Sequence, residues 1–284
     1  MIRRWPVKVC VLLILIGAVT SCMQLPSNAQ RTLTAEELVR AHQWHRMTLD
    51  AGRFLLRVYG PEPVAESSTL TVYLEGDGLA WVTRSRPSTD PTPVQPIALR
   101  LALADPDPQS VYLARPCQYV TGPECRPEYW LEKRFSPEII EATGAALDEL
   151  KVRYDAANLL LVGYSGGGAV AALLAAERDD VRALVTVAGN LDHEFWAGLH
   201  QISPLSGSLN PADRAMALAR MPQWHFVGDS DAIVPPEVAN AYVKQLPNTT
   251  LVNRVTKPGY DHQCCWEESW PGLISSIRKA LDQP

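Results

Sequence analysis

Residues 159–162, Leu-Leu-Leu-Val, run into Gly163-Tyr164-Ser165-Gly166-Gly167, and small residues then continue to Ala176. An apolar run, a glycine-bracketed serine and a small-residue run spell a strand, a sharp turn and a helix. Glycines on both sides let the backbone take the strained turn that lifts a hydroxyl above a sheet and aims the next amide at a reacting oxygen. Serine is a poor nucleophile until a neighbouring base removes its proton, and that base needs an acid to fix its tautomer and stabilise its cation. The chemistry therefore requires a histidine and a carboxylate downstream.

Two later loops offer them. Gly228-Asp229-Ser230-Asp231-Ala232-Ile233-Val234-Pro235 follows a strand ending at Val227, and Gly259-Tyr260-Asp261-His262 follows a strand ending at Val255. With these loops the chain resembles the α/β-hydrolase fold family over roughly residues 54–281, because that family orders its triad as serine, then an acid after a later strand, then a histidine near the end. The resemblance implies Ser165 as nucleophile, His262 as base and Asp231 as acid. Asp231 is selected over Asp229 because the family's acid often precedes two residues and a Val-Pro. Asp192, after the strand that follows the nucleophile, is the alternative acid, and Asp229 is read as a turn cap. His42, His45, His193, His200 and His225 are assigned to helix or packing roles.

Acyl transfer also needs donors for the oxyanion. The Gly166 amide is the first. The second is expected from Glu75-Gly76-Asp77-Gly78, after the strand over 70–74, with Asp77 and Gly78 as the two candidates. The loop departs from the family's frequent His-Gly by carrying Glu-Gly. The resemblance implies a serine hydrolase that cleaves a carboxylic ester through an acyl-enzyme, with no metal or organic cofactor. A thioesterase or peptidase would use the same triad, and a non-catalytic envelope scaffold is the reading from a different class. The loop aromatics Trp81, Tyr119, Trp130, Trp196 and Trp266 are expected on the same sheet edge.

The elements that must position these residues follow from periodicity. A capping box at Thr34 and Glu37 predicts a helix over 34–40, and branched and aromatic runs predict an early strand pair over 54–59 and 70–74. Helices are then expected at 96–104, 137–154, 167–177, 235–246 and 271–281, alternating with strands at 111–114, 158–163, 181–188, 223–227 and 250–255. Repeated βα units predict an α/β class, with a mostly parallel sheet flanked by helices on both faces and ligands at the strands' carboxyl ends. The rhythm lapses over 190–221, read either as a small cap or as a surface excursion.

Arg3, Arg4 and Lys8 precede an apolar stretch over 9–19, too short to span a bilayer and read as an export signal. Val19-Thr20-Ser21-Cys22 resembles the bacterial lipobox, which implies a signal peptide over 1–21, lipidation of Cys22, a tether over 22–33 and a hydrolase domain over 34–284. The alternative is a secreted enzyme cut near Ser21 or Ala29. By resemblance to sorted lipoproteins, Met23 after the cysteine implies the periplasmic side of the outer membrane, with the membrane contacted through the lipid. The 284 residues are 46% hydrophobic and 20% charged, as in an ordinary globular protein. Loss of 1–21 removes three positive and no negative charges, leaving 23 Lys+Arg against 31 Asp+Glu, net −8. That balance excludes nucleic acid as a partner. An exported chain would oxidise its remaining cysteines. Cys117–Cys125 is the first pairing, leaving Cys264 and Cys265 as thiols or a vicinal bridge, with cross-pairing of the two clusters also open. The absence of any C-x-x-C argues against zinc.

Overall fold

The computed structural model describes residues 25–64 and 68–283. The signal segment 1–21 and Cys22 lie outside them. Among the described residues the strands are β1 (His45–Ala51), β2 (Phe54–Gly60), β3 (Thr69–Leu74), β4 (Trp81–Thr83), β5 (Arg86–Pro87), β6 (Ser110–Leu113), β7 (Asn158–Tyr164), β8 (Val181–Val187), β9 (Gln223–Gly228) and β10 (Val252–Lys257). The helices are α1 (Asn28–Ala41), α2 (Ile97–Ala104), α3 (Pro137–Arg153), α4 (Gly166–Glu177), α5 (His193–His200), α6 (Ala215–Leu218), α7 (Pro236–Gln245) and α8 (Trp266–Leu281).

One sheet of eight strands, in the order β1-β2-β6-β3-β7-β8-β9-β10, carries the structure, and β4 pairs only with β5. The β1–β2 and β2–β6 pairs are antiparallel, and every pair from β6 to β10 is parallel. In β7 successive side chains point to opposite faces, so Leu159 and Leu161 enter one core with α3 and α4, while Leu160 and Val162 enter the other with α2 and α8. A strand buried on both faces has to be apolar throughout, which is what 159–162 supply. Because β3, β7, β9 and β10 run parallel, the loops that leave their carboxyl ends gather at one edge.

The helix α8 is fastened to this sheet by a charged network. Arg278 binds both carboxylate oxygens of Asp105 at 2.6 Å, the Tyr73 hydroxyl donates to Asp105 at 2.6 Å, and Trp270 Nε1 donates to the Tyr73 oxygen at 2.8 Å. Trp266 and Trp270 are fully buried on the same side. Their burial moves the start of α8 to Trp266, five residues before the predicted 271, so that Pro271 lies inside the helix. The cost of an interior proline is outweighed by two buried indoles.

Two other expectations are corrected. The N-terminal helix starts at Asn28, capped by Ser27 with Gln30 closing the capping box, so residues 28–33 are helical rather than tether and Arg31 is buried. The strands near 54–59 and 70–74 are not paired: β2 pairs with β1 and β6, and β6 separates it from β3. Strand β1 was not expected, because its polar, exposed edge pattern hides the alternation. Segment 190–221 folds into α5, a 3-10 turn at Pro211–Arg214 and α6, with Ala215 and Leu218 in the core and Phe195 and Leu199 exposed.

Candidate active site

The turn between β7 and α4 puts Ser165 at φ +52° and ψ −121°, a conformation that a non-glycine residue adopts only under constraint. The constraint is visible in its partners. Ser165 N donates to Val187 O at 3.0 Å, and its carbonyl accepts from Gly168 N at 2.9 Å and Asn190 N at 3.0 Å. Two glycines permit the crossing of strand and helix: a β-carbon on Gly163 would strike the Gly167 backbone, and one on Gly167 would strike the Leu74 carbonyl. The first amides of α4 are left at the positive end of the helix, beside the serine.

His262 is delivered by the turn after β10. Its Nε2 lies 3.0 Å from Ser165 Oγ and its Nδ1 lies 2.8 Å from Asp231 Oδ2. An ionised carboxylate only accepts, so the proton sits on Nδ1 and the Nε2 lone pair faces the serine hydroxyl. The Asp231 side chain is fully buried and that of His262 is 13% exposed. Asp231 Oδ1 accepts from the amides of Ile233 and Val234, both at 2.8 Å, so three hydrogen bonds meet the carboxylate in its charged state.

The other sequence candidates lie elsewhere or face elsewhere. Asp192, the alternative acid, caps α5 by accepting from Phe195 N at 3.1 Å, and Asn210 Nδ2 donates to it at 3.0 Å. Asp229 accepts from Gly259 N at 2.7 Å and from the Ser230 hydroxyl at 3.0 Å, tying the β9 loop to the β10 loop. His225 is locked inside the sheet between Thr186 Oγ1 and Gln223 Oε1, and burial pushes its pKa down to about 3. His193 is buried against Phe135, and His200 Nε2 contacts the Ile233 carbonyl at 3.0 Å.

Gly76 brings the 75–78 loop against Ser165: a β-carbon on it would lie 3.2 Å from Ser165 Cβ. The Asp77 carboxylate rests on Gly166 and pairs with Arg134 at 2.6 Å and with Arg115 at 3.3 Å. Glu75 is fully buried below them, its Oε1 accepting from Gly76 N at 2.9 Å, and burial raises its pKa to about 7. Arg115, Gln118 and Arg134 were not singled out from the sequence. Only their neighbours Cys117, Tyr119, Cys125 and Trp130 mark that stretch, because long-range ionic contacts leave no local pattern.

Cys117 and Cys125 are joined, as are Cys264 and Cys265. Among the aromatics expected on this edge, Trp266 Nε1 binds the Asp261 carbonyl beside His262. Trp266 is fully buried against Tyr260, Trp130 is buried with Nε1 on the Ser88 carbonyl, Tyr119 is buried against Tyr59 and Tyr112, and Trp196 Nε1 binds the Ile233 carbonyl. Trp81 alone of the five is largely exposed, at 44%. Among the described residues no three His, Cys, Asp or Glu side chains gather as a metal site, and no helix is long and apolar enough to cross a membrane.

No protein-family model matches the chain, and no curated protein matches its sequence. Solved structures do match its shape. Est1E from Butyrivibrio proteoclasticus superposes with a TM-score of 0.59 at 17% identity, over 83% of this chain and 98% of that one. The esterase domain of a Rhodothermus marinus protein gives 0.56 at 17% identity, over 84% and 98%. A lidless α/β serine hydrolase from Xanthomonas campestris gives 0.56 at 15% identity, over 85% and 97%. The chain has the α/β-hydrolase fold, with a mostly parallel sheet and helices on both faces.

Proposed function

We propose that this protein is a serine hydrolase that cleaves a carboxylic ester through an acyl-enzyme. The observation that carries the reading is the relay from Asp231 through His262 to Ser165, with contacts of 2.8 and 3.0 Å. Ser165 Oγ attacks the substrate carbonyl as His262 Nε2 takes its proton. The Gly166 amide and an amide of the Asp77-Gly78 pair hold the negative charge that develops on the carbonyl oxygen. His262 then hands its proton to the leaving alkoxide, and in the second half it draws a proton from the water that releases the acid. Asp231 keeps the imidazole in the working tautomer throughout.

The ester bond is favoured because the Rhodothermus domain is named an esterase and Est1E has also been solved with ferulic acid bound. A fluorophosphonate probe tests the reading. Wild type is expected to label and Ser165→Ala is not, with nitrophenyl ester turnover falling by about 10⁴-fold or more. A wild type that neither labels nor turns over esters, thioesters or peptides would favour the scaffold instead.

Arg3, Arg4 and Lys8, the apolar stretch and the Cys22 motif support export and lipidation of the same enzyme, facing the periplasm from the outer membrane. Metabolic labelling with a fatty acid is expected in wild type and lost in Cys22→Ser. Labelling that persists in the variant removes this part of the proposal.

A further inference from the structure

The loop that meets Ser165 has its polar groups claimed from behind. Gly76 N donates to Glu75 Oε1 at 2.9 Å, the Gly76 carbonyl accepts from Gln118 Nε2 at 2.9 Å, and Leu79 N donates to Pro91 O at 3.1 Å. None of the hydrogen bonds among the described residues uses the Asp77 N–H. In a trans peptide the carbonyl and the following N–H point in opposite directions. Gln118 draws the Gly76 carbonyl to the rear, so the Asp77 N–H faces forward, on the side where Gly76 abuts Ser165 Cβ. Gly78 packs against the rear of the loop: a β-carbon there would strike Pro91 O and lie 2.8 Å from Gln118 Nε2.

Resting on the reading of Ser165 as nucleophile, we propose that Gln118 is a positioning residue that aims the Asp77 amide at the oxyanion. Its own orientation is determined at both ends. Gln118 Oε1 accepts from Arg115 N at 3.1 Å, which leaves only Nε2, a donor, to face the Gly76 carbonyl. Gln118 is 1% exposed, so bulk solvent does not reach it. It is flanked by Cys117 at φ +71° and Tyr119 at φ +62°, two non-glycine residues in the left-handed region. Such backbone persists where its surroundings over-determine it and is concentrated at working sites. Here the surroundings are the Cys117–Cys125 bridge on one side and Thr92 Oγ1, which accepts from Tyr119 N at 2.8 Å, on the other. Arg115 and Arg134 add the third hold by gripping the Asp77 carboxylate, and Arg115 Nη2 also donates to the Arg134 carbonyl.

The test uses the full chain and two variants. Gln118→Glu keeps the shape and loses the donor, and Gln118→Met keeps the bulk and loses both polar atoms. Both are expected to lower kcat on a nitrophenyl ester by about 10- to 100-fold with KM within about twofold, less than the 10²- to 10³-fold of a deleted donor. Affinity for a trifluoromethyl ketone should fall by the same factor as kcat/KM, which a purely structural role would not produce. Wild type that labels with fluorophosphonate while both folded variants keep kcat within about threefold overturns the proposal and spares the nucleophile. Unlabelled wild type overturns the nucleophile and this proposal with it. Should neither variant fold, the phosphonylated wild-type structure decides: Asp77 N within about 3.2 Å of the phosphonyl oxygen upholds the assignment, and Gly78 N or no loop amide there defeats it.

Discussion

The Tyr164 hydroxyl donates to the backbone carbonyl of His262 at 3.0 Å, so the residue that precedes the candidate nucleophile grips the turn that carries its base. The two rings also lie 5.2 Å apart, tilted by 42°. The relay geometry is thereby tied together by two residues that are 98 positions apart in the chain.

Tyr164→Phe removes that grip and little else, since the ring stays buried. One neutral hydrogen bond contributes about 1 kcal/mol, so stability should fall by no more than that. The imidazole, no longer held from its own backbone, samples more orientations. Activity is expected to drop about 5- to 10-fold, in kcat rather than KM. Steady-state kinetics on a nitrophenyl ester, with a urea melt alongside, check both halves.

The two acid candidates are separated by opposite outcomes. Asp231→Asn leaves the buried shape intact but lets the amide favour the wrong imidazole tautomer, and kcat is expected to fall by about 10⁴-fold. Asp192→Ala removes the α5 cap and a partner of Asn210, costing about 1 kcal/mol of stability with kcat nearly unchanged. An inactive Asp192→Ala with an active Asp231→Asn would reverse the assignment.

Arg278 and Asp105 predict a stability effect without a catalytic one. The Asp105 side chain is fully buried beneath a guanidinium that is 21% exposed. Arg278→Ala leaves that buried carboxylate without its cation, and the expected loss is about 3–5 kcal/mol. Chemical denaturation measures it.

What could be read from the chain divides along local and non-local lines. The turn at Ser165 ends the apolar run 159–162, which carries its own signal, and the loops at Asp231 and His262 are marked by their Gly-Asp and Gly-Tyr-Asp-His sequences. Strand β1 exposes most of its side chains at the sheet edge, so no alternation betrays it. The start of α8 is not legible locally, because proline is common as a first helical residue and the burial of Trp266 and Trp270 that extends the helix leaves no local signal. The paired guanidiniums on Asp77 and the Gln118 contact join residues 38 to 57 positions apart. Nothing in the chain marks such partners until the sheet brings β3 beside β6.

Glu75 makes the fold itself sensitive to pH. Its carboxyl is fully buried; burial raises the pKa from 4.5 to about 7, against hydrogen bonds from Gly76 and Ala98 that oppose the rise. Between those two values the folded chain holds a proton that the unfolded chain has released. The stabilising contribution is therefore complete below about pH 4.5 and is lost as pH climbs through 7, a decline on the order of 3 kcal/mol from this group. Glu75→Gln keeps an acceptor for Gly76 N and cannot ionise. Urea denaturation of wild type should show the midpoint falling from pH 5 to pH 8 relative to the variant, whose profile lacks this component, so that Glu75→Gln is the more stable protein at pH 8. Parallel profiles for the two proteins would mean that Glu75 does not titrate in this window.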